Sequence, residues 1–313
     1  MNKNIEISVP IYSDSHKKFS ISIKKELSNV DTGYQYLQMV DTLRFGRCLF
    51  LDGIIQMSTS DHELYDIQLL KNIKETDESI LIIGGGDGCV ASTLNKMHKN
   101  VKIIDVVDID AKVVHECQRF LSQYVKLEKK KVQFIIQDCL TYLDTVPKDK
   151  KYAGAIIDLT DVPFKGDIED ISLFYKELLT KIKTVLEPGG WLSMQAGTPS
   201  VSADYFNLNS FLINELQKEY VFVESFSKFI PCFGEDAAFI TASMKSPFII
   251  DLNDSLSTTS VSELGGKGYS LKKLSSLGIA IPRGFVVSAN VFNYFLKQNS
   301  IEQEVQRLLS ETS

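Results

Sequence analysis

No two of the five cysteines (Cys48, Cys89, Cys117, Cys139, Cys232) form a CxxC pair. That wide spacing argues against a zinc site or a disulfide framework and suits reduced thiols. Histidine is equally sparse: His16, His62, His98 and His115 show no metal-ligand spacing, and each reads as a surface or packing residue. No metal is expected. No apolar run approaches the roughly 20 residues that span a bilayer, and the start MNKNIEISVP lacks the apolar stretch of a signal peptide. No membrane partner is expected, and the expected location is cytoplasmic. Positive charge is in deficit, with 34 Lys and Arg against 40 Asp and Glu and a net charge of −6. This disfavours a nucleic-acid surface and favours a cationic small molecule as partner. What is present is enough for a full core, since 44% of the residues are hydrophobic and 24% charged. A length of 313 residues allows two domains, or one large domain with additions.

The most informative stretch is SILIIGGGDGCVASTLNKMHKNVKIIDVVDID, Ser79 to Asp110. The run Ile80, Leu81, Ile82, Ile83 suits a buried parallel strand. Gly84, Gly85, Gly86 and Gly88 follow, interrupted by Asp87, and a helical pattern starts at about Cys89. A second apolar run ends in Asp108 and Asp110. Glycines at a strand-to-helix turn let the backbone and helix N-terminus approach a ligand, and an acid about 20 residues on accepts ribose hydroxyls. Gly84 and Gly86 are therefore candidate ligand contacts. A dinucleotide fingerprint needs glycine at the sixth position, which here is Cys89. A nucleoside without a pyrophosphate is the better expectation.

Around this unit the chain divides into four parts. Residues 1–60 read as a small β domain: ISVPIY, FSISIKKEL, GYQYLQMVDT and GRCLFLDGIIQM alternate apolar and polar positions. Asp52-Gly53 supplies a hairpin turn, and a helix is predicted from Ser60-Asp61 through HELYDIQLLKNIKE. Over residues 61–245 strands and helices alternate, with apolar runs ending at Gly84, Asp108, Ile136, Asp158 and Gln195 and helices over 111–123 and 169–186. YVFVESF and AAFITASM close the sheet as a hairpin-like pair. The fold class is therefore α/β, a Rossmann-like doubly wound sheet behind the β domain, with a short C-terminal α/β appendage. Residues 246–261 read as a linker and 262–313 as a turn, a helix, a short strand and another helix.

Ligands of such sheets sit beyond the carboxyl ends of the strands, and this chain collects acids there. Asp138-Cys139 follows the strand VQFII, where an acid can read an adenine amino group; an ordinary helix cap is the plainer reading. In GAIIDLTDVP, Asp158 and Asp161 straddle a strand end and Pro163 stiffens the exit. Paired carboxylates in a cleft suit binding a cationic amine and removing its proton.

GYQYLQMVDT, LFLDGIIQMSTSD, ILIIGGGDG, VVDID, IIQDC and DLTDVP occur in the order and spacing of the spermidine/spermine synthase family. The resemblance covers residues 1 to about 245 and is carried by all six motifs. It implies a methyltransferase-like Rossmann domain behind a β domain and a homodimer or larger oligomer. The implied activity is a non-methyl alkyl transfer. The aminopropyl group of decarboxylated S-adenosylmethionine, a co-substrate and not a tightly bound cofactor, passes to a polyamine and methylthioadenosine leaves. By position, the resemblance implies that Gln35 and Gln56 line the co-substrate site and that Asp87 holds the aminopropyl ammonium. Asp108 would bind the ribose, and Asp138 with Cys139 the adenine. Asp158 would be the general base, with Tyr65 and Asp161 on the acceptor amine. Asp66 stands where the family usually has histidine, and Phe233, in IPCFG, where many members have tyrosine. Both departures fall on the acceptor side and count against putrescine, while the choice between putrescine and spermidine stays open. Leu-Thr in DLTDVP looks more like spermine synthase, although such enzymes often lack the second acid that Asp161 supplies. Two other readings are weighed: a methyltransferase using intact S-adenosylmethionine, and a catalytically silent scaffold subunit.

The stretch ELGGKGYSLKKLSSLGIAIPRGFVVSANVF resembles the opening of the ATP-binding domain of pyruvate phosphate dikinase and phosphoenolpyruvate synthase. Gly265, Gly266, Lys267 and Gly268 match its nucleotide-contacting start, although a plain glycine turn also explains them. The resemblance spans about 45 residues, so ATP binding by this piece alone is not expected. A fusion protein whose second part continues past Ser313 is.

Overall fold

A computed structural model of the chain describes residues 5–11, 13, 14, 16–159, 168–201, 206–244, 248–252 and 261–299, together with 301, 304, 305, 307 and 308. Asp161, Pro163 and most of the expected linker lie outside the described residues. The chain forms two compact units, Met1–Met244 and Lys245–Ser313.

The first unit begins with five antiparallel strands paired in sequence order: β1 (Ile5–Pro10), β2 (Lys18–Asp31), β3 (Tyr36–Thr42), β4 (Arg47–Leu51) and β5 (Ile54–Ser58). Asp52 and Gly53 join β4 to β5 with φ of 49° and 78°, the double left-handed turn that matches strand twist. The β2–β3 register shifts between Ile23 and Lys25 and again between Glu26 and Ser28, and such bulges bend a long strand.

Helix α1 (His62–Leu69) is shorter than its sequence pattern suggests. The chain turns after Leu70 because both ends of the following segment are held: Ile73 N–H bonds the Leu70 carbonyl, and Asp77 accepts the Lys74 N–H and the Trp191 indole N–H at 2.9 and 2.8 Å.

A seven-stranded sheet follows, built from β6 (Ser79–Gly84), β7 (Ile103–Asp108), β8 (Val132–Ile136), β9 (Tyr152–Asp158), β10 (Leu186–Gln195), β11 (Phe222–Ile230) and β12 (Glu235–Ser243). Its order is β11-β12-β10-β9-β6-β7-β8. Strands β6 to β10 run parallel, and β12 is antiparallel to both neighbours. The chain winds outward from β6 through β7 to β8, then crosses back to place β9 on the other side of β6. That reversal opens a crevice at the carboxyl ends of β6 and β9.

Helices α2 (Cys89–Met97), α3 (Ala111–Phe120), α4 (Cys139–Thr145), α5 (Ile168–Val185) and α6 (Leu208–Glu219) cover the sheet. Strand pleating divides the β6 side chains between its faces. Ile80 and Ile82 pack with Val90 and Leu94 of α2; Leu81 and Ile83 pack with Leu178 and Ile182 of α5. Trp191 is 2% exposed and lies against Gly154, where any side chain would run into the indole.

The second unit holds β13 (Ile249–Asp251) antiparallel to β14 (Phe285–Val287), with α7 (Val261–Ser276) and α8 (Asn290–Gln298). Part of the expected linker is thus strand: the apolar pair Ile249 and Ile250 faces Val287 and Val286 across the ladder. Gly265 kinks α7 with φ 66° and ψ 162°, just before Lys267.

Candidate active site

A cavity of about 380 Å³ occupies the crevice in the first unit, with walls from both of its sheets. The glycine turn forms one wall. Gly84 has φ of 79°, and a Cβ there would strike the Asp158 carbonyl; a Cβ at Gly86 would strike the Asp108 carboxylate. Close approach, as well as left-handed geometry, therefore demands glycine here.

The turn supplies Asp87 and brings it together with the strand-end acids Asp108 and Asp158. Asp108 accepts the Gly86 N–H at 2.9 Å and the Asp110 N–H at 2.8 Å. Asp87 accepts the Cys89 N–H at 2.8 Å at the start of α2. Asp158 accepts the Tyr65 hydroxyl at 2.7 Å through Oδ1, which leaves Oδ2 for a ligand. Burial pushes the Asp158 carboxyl up to about 8, with the Asp87 charge adding to it. Burial likewise takes Asp87 up to about 6, with the Asp66 charge adding to it, and raises Asp108. Acids that resist ionisation when empty gain most from a bound cation.

Below them, Asp66 is fully buried and accepts from His62 Nδ1 at 2.7 Å and from the Thr93 hydroxyl at 2.6 Å, both through Oδ2. Its Oδ1 has no hydrogen-bond partner among the described residues. Burial opposes a charged imidazole at His62, but the Asp66 bond and charge outweigh it and raise the histidine. Burial raises Asp66 in turn. Tyr65 is held edge-on against Phe233 and Phe239, with ring centroids 6.0 and 5.1 Å away.

Gln35, Gln56, Tyr65, Asp66, Gly84, Gly86, Asp87, Asp108, Asp158 and Phe233 all line the cavity. Asp138 and Cys139 are not among the described lining residues. Asp138 caps α4 by accepting the Thr141 N–H at 2.8 Å. Asp161 lies outside the described residues. His62, which reads in sequence as a surface or packing residue, lines the cavity too. So does Asp61, which starts α1 without a side-chain cap bond; its carboxylate accepts the Ser58 hydroxyl at 2.6 Å and the Cys232 N–H at 2.8 Å instead. Gln195 and Glu235 complete the wall near β12. The i, i+4 spacing of His62 and Asp66 was a usable signal; the Asp61–Cys232 bond, across 171 residues, had none.

A switch-point crevice, a glycine turn closed onto Asp108, and carboxylates with raised proton affinity define a Rossmann-like protein with an acidic ligand cavity. The comparisons with known proteins narrow that class. Residues 62–253 match the spermine/spermidine synthase domain, and residues 11–59 the spermidine synthase tetramerisation domain. The chain belongs to the spermine/spermidine synthase family. It is 34% identical over 214 residues to a polyamine aminopropyltransferase of Saccharolobus islandicus, covering 65% of this chain and 69% of the relative. A polyamine aminopropyltransferase of Methanocaldococcus jannaschii is 29% identical over 215 residues, with 65% and 70% covered. Among solved structures, spermidine synthase from Thermotoga maritima superposes with a TM-score of 0.65 at 15% identity, over 95% of this chain and 94% of that one. A spermidine synthase in complex with the transition-state analogue AdoDATO superposes at 0.69 and 16% identity, over 96% of each chain. These two likenesses establish the fold. Residues 261–313 match the AMP/ATP-binding domain of pyruvate phosphate dikinase.

Proposed function

We propose that the protein transfers the aminopropyl group of decarboxylated S-adenosylmethionine to a polyamine amine and releases methylthioadenosine. The observation that carries this reading is the Asp158 carboxylate, oriented by Tyr65 and facing the same cavity as Asp87. In this reading Asp108 takes the ribose hydroxyls, Gln35 and Gln56 line the nucleoside, and Asp87 pairs with the aminopropyl ammonium. Tyr65, Asp66 and Phe233 border the acceptor, and Asp161 is proposed to join them. Asp138 and Cys139 are proposed to meet the adenine from outside the described lining.

The chemistry needs little more than these groups. An alkylammonium has a pKa near that of lysine, about 10.4, so baring its lone pair at neutral pH costs roughly 4 to 5 kcal/mol. Asp158 takes that proton through Oδ2 as the nitrogen attacks the carbon leaving the sulfonium. A base whose own proton affinity is raised accepts it more readily. The remaining contribution is positioning, holding amine and carbon in line. The same acids disfavour intact S-adenosylmethionine, because its carboxylate at about 4 Å from Asp87 would cost around 4 kcal/mol at an effective dielectric near 20.

A homodimer or larger assembly is proposed from the match of residues 11–59 to a tetramerisation domain. The five cysteines are free thiols, which supports a reducing, cytoplasmic setting. For residues 261–313 we propose no nucleotide binding by that stretch alone.

The deciding experiment supplies decarboxylated S-adenosylmethionine with putrescine, spermidine and other amines and identifies products by mass. Methylthioadenosine with an amine extended by one aminopropyl group is the expected outcome. Equal consumption of intact S-adenosylmethionine would return the protein to the methyltransferase class, and no turnover with any amine would favour a silent scaffold.

A further inference from the structure

At the nucleoside end of the cavity the two sheets of the first unit meet at Asp110, which is 1% exposed. Its Oδ1 accepts the N–H groups of Lys112 and Val113 at 3.0 and 3.2 Å, capping α3. Its Oδ2 accepts the Thr32 hydroxyl at 2.6 Å and Nε2 of Gln35 at 3.2 Å. Its own N–H donates to Asp108, which also accepts from Gly86. A continuous line of hydrogen bonds thus runs from the glycine turn through Asp108 and Asp110 to the β2–β3 connection.

A glutamine amide has one donor end and one acceptor end, and an ionised carboxylate takes only the donor. Facing Asp110, Gln35 must turn its NH2 inward. Its carbonyl Oε1 is then the polar atom left for the cavity that Gln35 lines. We propose that Asp110 is a positioning residue that sets the polarity of Gln35, making this wall an acceptor surface for the hydroxyls or the cationic sulfonium arm of the bound nucleoside. The proposal rests on the co-substrate reading above. Without Asp110 the amide is free to rotate and present a donor, which a sulfonium cation repels.

The test measures binding of decarboxylated S-adenosylmethionine by calorimetry, without amine, in the full-length chain. Asp110→Asn keeps the α3 cap, because Asn caps as well as Asp, but turns an NH2 toward Gln35 and Thr32. Its dissociation constant is expected to rise about tenfold, the loss of one hydrogen bond, while its melting temperature stays near wild type. Gln35→Glu alone sets two carboxylates face to face and weakens binding at least as much. The double variant Asp110→Asn/Gln35→Glu pairs an amide donor with a carboxylate, again leaves an oxygen toward the cavity, and recovers to within about threefold of wild type. Additive losses in the double variant overturn the proposal, as does unchanged binding in Asp110→Asn. Should Asp110→Asn fail to fold, Gln35→Met removes the carbonyl at similar shape, and unchanged binding there overturns it equally. Wild-type protein that binds no decarboxylated S-adenosylmethionine overturns the co-substrate reading itself, and the proposal with it.

Discussion

Asp158 is asked to be a base, yet its surroundings favour the protonated acid. Burial and the Asp87 charge push it up to about 8, so in the empty enzyme at neutral pH much of it carries a proton. A bound cation reverses that preference. With both substrates well below saturation, kcat/KM should fall tenfold per unit as pH drops below about 8, while the corresponding limb of kcat lies lower because the cations favour the carboxylates. A pH–rate series checks this, and coincident limbs near pH 5 would place the base elsewhere. Asp158→Asn should lower kcat by about 10² to 10⁴-fold while leaving co-substrate affinity within a few fold. Tyr65 can still donate to the Asn carbonyl, so the geometry persists. Single-turnover rates together with calorimetry separate the two effects.

At the scale of elements, the turn between β6 and α2 tolerates no side chain at Gly86. A methyl group there meets the Asp108 carboxylate and lies 3.3 Å from Val114. Gly86→Ala should displace Asp108, cost about 1 to 3 kcal/mol in denaturant unfolding, and abolish measurable methylthioadenosine binding. Full binding in that variant would remove Asp108 from the nucleoside site. This turn was also the most legible part of the sequence, because the glycines, Asp87 and Asp108 each have a local cause at a strand end. Sheet strands and helices were legible for the same reason: β6 and β9 are short apolar runs, and α5 is long and periodic. Four features were not. The end of α1 depends on Asp77 reaching Trp191, 114 residues away. The role of Asp61 depends on the Cys232 backbone, and that of Asp110 on Gln35. Long-range polar pairs leave no periodicity to read, and local propensity assigns such residues to caps. Strand β13 was hidden by the polar residues that follow it.

Across the first unit, the gathered acids make the empty fold sensitive to pH in an unusual direction. Asp87 and Asp158 have folded-state values of about 6 and 8 against 3.8 when unfolded. Groups raised on folding contribute stability that is fully present below about pH 4 and lost as pH rises through about 6 and then 8. His62, also raised, acts in the same sense. The ligand-free protein should therefore melt at a lower temperature at pH 8 than at pH 6. Decarboxylated S-adenosylmethionine should raise the melting temperature more at the higher pH. Scanning calorimetry at the two pH values checks both, and an opposite slope would mean that other groups dominate the linkage.

The chain has one tryptophan, and it lies in the sheet core against Gly154 with its indole bonded to Asp77. Intrinsic tryptophan emission is therefore a single-site optical reporter of the unit Met1–Met244. A denaturant titration followed by this emission should show one cooperative red shift as β9 and β10 separate. Far-ultraviolet circular dichroism, which sees both units, should show additional amplitude outside that transition if the unit Lys245–Ser313 unfolds independently. Superimposable curves from the two probes would mean that the units unfold together.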